Sequence, residues 1–182
     1  MSEETRKRIV EAAARALARD GYAGTSVKDI AAEAGVAPGL VHYYFKTKEE
    51  LVAAAVAEVC GPPPLPDADD PTEAARLALE RTKEPDERTR QFQALFLEML
   101  GHATRNDPVR QTLLRTVQAE RATIEAAARA VIAERGGWSP DQAPTIAAVV
   151  WAAGFGINTQ RQLDPAFDAG AAIDVLTQLV LR

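Results

Sequence analysis

Apolar residues recur at helical spacing through most of this chain. Near the N-terminus, Ile9, Ala13, Ala16 and Leu17 fall three or four positions apart, and Gly21 ends the pattern. The same spacing predicts further helices over 27–34, 38–45, 48–60, 72–83, 87–105, 108–135, 140–163 and 166–181. Strands do not alternate with these helices, and no internal repeat is visible. The sequence therefore predicts an all-α fold.

Capping signals mark several of these boundaries. Thr25 and Ser26 offer N-cap oxygens to the second helix, and Gly35 stops it. Pro38 suits the first turn of the third helix, where its missing N–H costs nothing. Thr47 followed by Glu50 is the pattern of a capping box at the fourth helix. Polar residues followed by proline predict two later starts, at 106–108 and 139–142.

A run of prolines and acids, GPPPLPDADDP at 61–71, interrupts the helical pattern. Neither a helix nor a strand continues through such a run, so we place a linker around it. The preceding residue, Cys60, is the single cysteine and cannot form an internal disulfide, which fits a reducing compartment. We interpret it as a small hydrophobic residue at a helix end rather than a redox sensor.

Composition narrows the class of protein. Aromatic residues make up only 5% of the chain while hydrophobic residues reach 47%, a balance that favours Ala-rich helices over strands. Neither a signal peptide nor a long apolar run is present, so we expect a cytoplasmic protein without a membrane partner. The net charge of −5 argues against indiscriminate binding to nucleic acid. Residues 1–55 are nevertheless balanced in charge, and the acidic excess lies beyond them.

The stretch 25–51, TSVKDIAAEAGVAPGLVHYYFKTKEEL, predicts a helix-turn-helix, whose second helix enters the major groove of DNA. Val41 and Phe45 lie four residues apart and should face inward. The residues of the outer face and of the helix starts are then candidates for contact with bases or phosphates. These candidate DNA-binding residues are Thr25, Ser26, Pro38, Gly39, Leu40, His42, Tyr43, Lys46 and Lys48.

The register of this stretch resembles the DNA-binding domain of TetR-family repressors, whose pattern is similar to G-V-x-x-G-x-x-Y-x-Y-F-x-x-K-x-x-L. The chain departs from it at Ala37, where a Ser or Thr N-cap is common, and at His42, where Tyr is common. The resemblance adds Tyr44 to the candidate DNA contacts. Seven residues of the chain match this pattern, namely Gly35, Val36, Gly39, Tyr44, Phe45, Lys48 and Leu51.

The resemblance implies a DNA-binding domain over residues 1–48 and a helical effector-binding and dimerisation domain over 49–182. It further implies that the last two helices pair with the same two helices of a second copy in a four-helix dimer bundle. The dimer would bind double-stranded operator DNA. Both helices are apolar on more than one side, as sandwiched helices are, although a monomer core would also explain this. The predicted interface residues are Val149, Val150, Ala153, Ile157, Ala172, Val175, Leu176 and Leu179.

A ligand cavity among the C-terminal helices is also implied by the resemblance. A mostly apolar cavity with a few polar groups is the usual composition of a small-molecule site, so we expect a largely apolar effector. Each candidate taken singly would also suit an ordinary core. The candidate pocket residues are Phe92, Phe96, Met99, His102, Gln118, Trp151, Phe155 and Asn158.

Two other interpretations compete with a ligand-responsive, homodimeric repressor. The first is a helical enzyme, but the sequence has no phosphate loop, HExxH motif or nucleophile arrangement, and predicts neither a metal nor a cofactor. The second is a protein that binds DNA without any effector. Neither the effector, the operator nor the direction of the response follows from the sequence.

Overall fold

A computed structural model describes residues 3–59 and 65–181, without the side chains of residues 59, 87, 88, 91 and 92. Cys60 and the first part of the predicted linker lie outside the described residues. The described part of the chain forms α-helices and one short 3-10 turn, with no strand, as predicted. The helices are α1 (Glu3–Gly24), α2 (Val27–Glu33), α3 (Pro38–Tyr44), α4 (Lys48–Val59), α5 (Pro71–Arg81), α6 (Glu87–Ala103), α7 (Asp107–Arg135), α8 (Ala143–Leu163) and α9 (Ala169–Val180).

Two of the predicted caps are fully formed. Ser26 and Asp29 form a reciprocal capping box at α2, and Asn106 Oδ1 accepts from Val109 N at α7 (3.2 Å). The predicted box at α4 is only half formed. Thr47 Oγ1 accepts from Glu50 N (3.1 Å), but the Glu50 carboxylate accepts from Lys46 N (3.0 Å) instead of the N-cap amide.

Three predicted boundaries need correction. A further turn follows Gly21, which has the expected positive φ of 69° but forms a kink inside α1 rather than its end. Pro140–Gln142 is a 3-10 turn that precedes α8. Asp168 Oδ1 accepts from Ala171 N (2.8 Å), and this cap begins α9 three residues later than the predicted start at 166.

The first compact unit comprises Met1–Gly61 and Glu87–Thr116. Within it α1, α4 and α6 pack against one another, and α2 and α3 extend from α1. Each of the three packed helices contributes a fully buried side chain, Ile9, Leu51 and Met99 respectively. Complete burial of such side chains stabilises a fold by about 1.5–3 kcal/mol each.

The second compact unit comprises Pro62–Asp86 and Val117–Arg182. Its α8 and α9 share a core of Ile157, Ala169, Ile173 and Leu176, against which Leu79 of α5 packs. Polar contacts hold the end of α5 in place. Lys83 Nζ lies 2.6 Å from Asp174 Oδ1 of α9, and Arg161 Nη1 of α8 donates to the Lys83 carbonyl (2.7 Å).

The predicted functional boundary between residues 48 and 49 stays a prediction, because these compact units group residues by contact. Helices α4 and α6 pack with α1, so much of the predicted effector domain belongs to the same unit as the helix-turn-helix. None of the helices in the described ranges has the length and apolar character needed to cross a bilayer.

Candidate functional site

The turn between α2 and α3 has the geometry that a helix-turn-helix requires. Gly35 has a φ of 63°. Its N–H donates to Ala32 O (3.1 Å), and Val36 N donates to Ala31 O (3.0 Å). These two bonds make a Schellman motif, which ends a helix abruptly and needs a residue that tolerates positive φ. The chain is thereby redirected into α3 within a few residues.

The two faces of α3 differ as predicted. Val41 and Phe45 are buried beneath the helix, whereas His42 and Tyr43 are exposed. Tyr43 is 60% exposed. Its ring meets that of half-buried Tyr44 edge-on, with centroids 5.3 Å apart. Exposed aromatic and imidazole groups on one short helix can donate to or accept from base edges.

The N-terminal end of α3 is open to a close approach. Pro38 and Gly39 are exposed, and Leu40 is half-buried. A Cβ placed on Gly39 would meet no atom within 4 Å. The fold itself therefore does not require glycine at this position, which suits the expected approach of DNA.

Other predicted DNA contacts have partners within the protein. Thr25 is only 3% exposed, and its hydroxyl donates to Gly21 O (2.8 Å). The Ser26 hydroxyl donates to Asp29 Oδ2 (2.5 Å). Lys46 is exposed, with its Nζ 5.9 Å from the centre of the Tyr43 ring. A DNA contact from Thr25 or Ser26 would thus compete with an existing hydrogen bond.

Lys48 differs most from its predicted role as a phosphate contact. Its Nζ donates to the Tyr22 carbonyl (2.5 Å) and lies 4.1 Å from the centre of the Tyr22 ring. The side chain is half-buried. An ammonium held against a carbonyl and an aromatic face stabilises the contact between α4 and α1.

Lys48→Met should therefore lower the free energy of unfolding by about 1–2 kcal/mol, since the stem is kept while the charged contacts are lost. The matched control is Lys28→Met, at an exposed lysine of α2, which should change stability by less than about 0.5 kcal/mol. Urea midpoints at one protein concentration measure both. Equal stability of the two variants would contradict the structural role of Lys48.

The predicted pocket residues fall into both compact units. In the first unit, Phe96 and Met99 are buried, and the His102 ring lies 5.6 Å from that of Tyr22. The side chain of Phe92 lies outside the described residues. In the second unit, Trp151 and Phe155 are stacked with centroids 5.3 Å apart and planes 7° from parallel.

The two pocket candidates with amide side chains, Gln118 and Asn158, are placed differently. Gln118 of α7 is exposed, and the Asn158 side-chain oxygen accepts from Arg161 Nη2. The residue missed by the sequence interpretation is Glu120, whose carboxylate accepts from Trp151 Nε1. The sequence carries a signal for its burial, because Glu120 lies between Val117 and Ile124 on the apolar face of the predicted helix.

The predicted interface residues of α8 and α9 divide into two sets. Val149, Val175 and Leu179 are exposed large hydrophobic side chains, whereas Ile157 and Leu176 lie in the unit's own core. The latter two are therefore unavailable to a partner, since their apolar surface is already covered. Val150, Ala153 and Ala172 are half-buried.

Two residues of the exposed set, Val149 and Leu179, border an open groove of about 750 Å³ in this unit. Its walls include apolar side chains from α8, from α9 and from the segment before the 3-10 turn. The lining residues are Gly137, Trp138, Gln142, Thr145, Ile146, Val149, Leu179 and Val180.

Comparison with known proteins agrees with the geometry of α1 to α4. The family model described as bacterial regulatory proteins, tetR family, matches residues 9–55. The transcriptional regulator BetI of Rhizobium meliloti is 28% identical over 63% of this chain and 59% of its own length. The transcriptional regulator TtgR of Pseudomonas putida is 47% identical over 29% of this chain and 25% of its own length.

One solved structure extends the likeness to nearly the whole chain. The multidrug binding protein EbrR, crystallised with proflavin, is 30% identical, with 96% of this chain and 99% of that chain covered and a TM-score of 0.60. A second structure of EbrR contains ethidium. The chain belongs to the TetR family of transcriptional regulators. The resemblance found in the sequence is thus confirmed, and BetI and TtgR are both named as transcriptional regulators.

Within this TetR-family chain, Gly39 offers a way to separate folding from function. Gly39→Ala should leave stability unchanged or raise it by up to about 1 kcal/mol, because alanine favours helix and the site is open. Affinity for operator DNA should fall, because the added methyl group would stand between α3 and the groove. Gly101→Ala in α6 is the control, as a Cβ there also meets no atom within 4 Å. Fluorescence anisotropy measures affinity, and equal affinity for both variants would contradict a DNA contact at Gly39.

Proposed function

We propose that this protein is a ligand-responsive transcriptional repressor that binds a palindromic operator as a homodimer and is released by a small-molecule effector. The observation that carries the proposal is the outer face of α3. His42 and Tyr43 are exposed there above a buried Val41 and Phe45. A solvated helix face is normally charged, whereas this face is suited to base edges.

Charge placement supports specific rather than indiscriminate binding. Arg15 Nε lies 3.0 Å and Arg19 Nη2 3.2 Å from the carboxylate oxygens of Glu33, so these two cations join α1 to α2. The Lys48 ammonium donates to the Tyr22 carbonyl as well, so few cationic side chains in the described part of this region remain to contact DNA phosphates. We therefore expect a modest salt dependence, each neutralised phosphate contributing about −0.9 to the slope of log affinity against log salt.

The exposed apolar face of α8 and α9 supports the dimer. Large hydrophobic side chains left on one face of two adjacent helices commonly mark an interface. A two-fold dimer presents two recognition helices to a palindrome, with half-site centres about 34–36 Å apart.

Contacts between α1, α4 and the segment that follows α6 support coupling of an effector to DNA. The Tyr22 hydroxyl donates to Glu49 Oε1 (2.8 Å), and the Asn106 amide donates to Thr47 Oγ1 (3.5 Å). Burial raises the pKa of Tyr22 and keeps its hydroxyl a donor. The pKa of Glu49 is lowered by its own backbone amide and then by Tyr22. A shift of α6 would therefore move the start of α4, which directly follows the DNA-binding helices.

The binding of EbrR to proflavin and ethidium supports a small-molecule effector for this chain as well. An effector that binds more tightly to one arrangement of α4 and α6 would change operator affinity by a coupling free energy of about 1–3 kcal/mol. The cytoplasmic location also remains a prediction.

The test is selection of bound duplexes from a random DNA library by the full chain. Enrichment of an inverted repeat, with a complex that contains two protein chains, is the expected result. A single unrepeated site, or no enrichment above random DNA, would contradict the proposal. The selected operator then becomes the reagent for an effector screen.

A further inference from the structure

Three side chains of the second compact unit bring a carboxylate against an aromatic pair. Glu120 lies half-buried on α7, and its carboxylate accepts a hydrogen bond from Trp151 Nε1 on α8. The Trp151 ring is stacked with that of Phe155, with centroids 5.3 Å apart. Both aromatic side chains are themselves only partly buried. A negative charge therefore lies beside aromatic surface that solvent can still reach.

The carboxylate of Glu120 is poorly compensated where it lies. Glu125, on the same helix, forms an ion pair with Arg129 at 2.6 Å. No lysine or arginine in the described parts of the chain does the same for Glu120, and Trp151 supplies a neutral donor. Burial raises the pKa of the Glu120 carboxyl, while the Trp151 hydrogen bond opposes this. Removing a carboxylate from water without a countercharge is costly, so a cation brought to this position would be stabilised.

We infer that Glu120, Trp151 and Phe155 form a subsite for an organic cation with a planar aromatic body, and that this is the chemical class of the effector. The inference rests on the proposed ligand-responsive function. The carboxylate would pair with the positive charge, and the aromatic faces would contact the planar body through stacking and cation–π attraction. A neutral planar molecule would gain only the stacking, since it carries no positive charge for the carboxylate or for cation–π attraction.

The test uses a matched pair of probes, the N-methylphenanthridinium cation and neutral phenanthridine, which share one ring system. The chain has two tryptophans, so Trp138→Phe leaves Trp151 as the fluorescent reporter. Both probes are titrated into this full chain without DNA. The cation should bind on the order of ten-fold more tightly than the neutral ring, the ratio that loss of one charge-assisted contact produces.

Glu120→Gln should remove most of that ratio by weakening cation binding on the order of ten-fold while leaving phenanthridine nearly unchanged. The glutamine keeps the shape of the side chain and can still accept from Trp151. Glu125→Gln is the matched control, since it removes a charge from the same helix at an ion-paired acid. It should leave both affinities within about two-fold.

Equal binding of the two probes to the protein with native Glu120 would overturn the inference, as would failure of the cation to bind. A loss of cation affinity as large in Glu125→Gln would also overturn it, because the effect would then come from net charge. Operator affinity is measured separately. A protein that prefers the cation but keeps the same operator affinity with and without it retains the subsite and contradicts the proposed effector release.

Discussion

Val175→Asp is expected to convert the proposed dimer into monomers and to reduce operator affinity on the order of 10²–10⁴-fold, the range that loss of a linked second contact produces. Val175 lies in the middle of α9 and is 55% exposed, close to Leu179 on the same face. A short carboxylate there would be buried in the interface without a partner, at a cost of several kcal/mol. Valine and aspartate have similar helix propensities, so α9 itself should persist.

The control for this prediction is Leu163→Asp. Leu163 ends α8 and is 79% exposed, outside the predicted interface. The same charge at this position should leave both assembly and DNA binding unaltered. Light scattering gives the mass, circular dichroism the helix content and anisotropy the operator affinity. An unaltered dimer for both Val175→Asp and Leu179→Asp would show that this face of α9 is not part of the dimer interface.

Sequence alone predicted the helices well because their start and stop signals are local. Gly35 and Ser26 act through bonds to residues a few positions away, and the period of Val41 and Phe45 determines which face of α3 is buried. Asp168 carried an equally local signal that the prediction missed, since an aspartate before an apolar run is a good N-cap.

The placement of side chains between distant helices was harder to predict. Nothing near Lys48 in the sequence indicates that its ammonium meets Tyr22, because that contact spans 26 residues. The two apolar stripes of α9 were both visible, but periodicity cannot tell which one faces the unit's own core. Packing assigns Ile173 and Leu176 to the core and leaves Val175 exposed.

The grouping of helices into compact units illustrates the same limit at a larger scale. The proline-rich run at 61–71 is an evident break in the sequence. Yet α6, which follows this run, packs with α1 and α4, which precede it. Compact units are determined by tertiary contacts. A linker shows where the helical pattern is interrupted, but it does not show which helices pack together.

Tyr43→Ala is expected to weaken operator binding by about 1–3 kcal/mol and to reduce discrimination against other sequences. The reason is the position of the side chain, which is 60% exposed on the outer face of α3. Loss of an exposed side chain should change folding stability by less than about 0.5 kcal/mol. The effect on DNA would therefore come from a lost contact rather than from unfolding.

Tyr43→Phe separates the contributions of the ring and the hydroxyl. If the hydroxyl bonds a base edge, the phenylalanine variant should lose most of the discrimination while keeping the edge-on contact with Tyr44. Affinities for the selected operator and for random DNA are measured at one salt concentration, since phosphate contacts depend on salt. If Tyr43→Ala weakens both DNAs equally, Tyr43 contacts phosphate, because such contacts carry no direct sequence information. Discrimination would then have to come from the neighbouring exposed His42 and the half-buried Leu40.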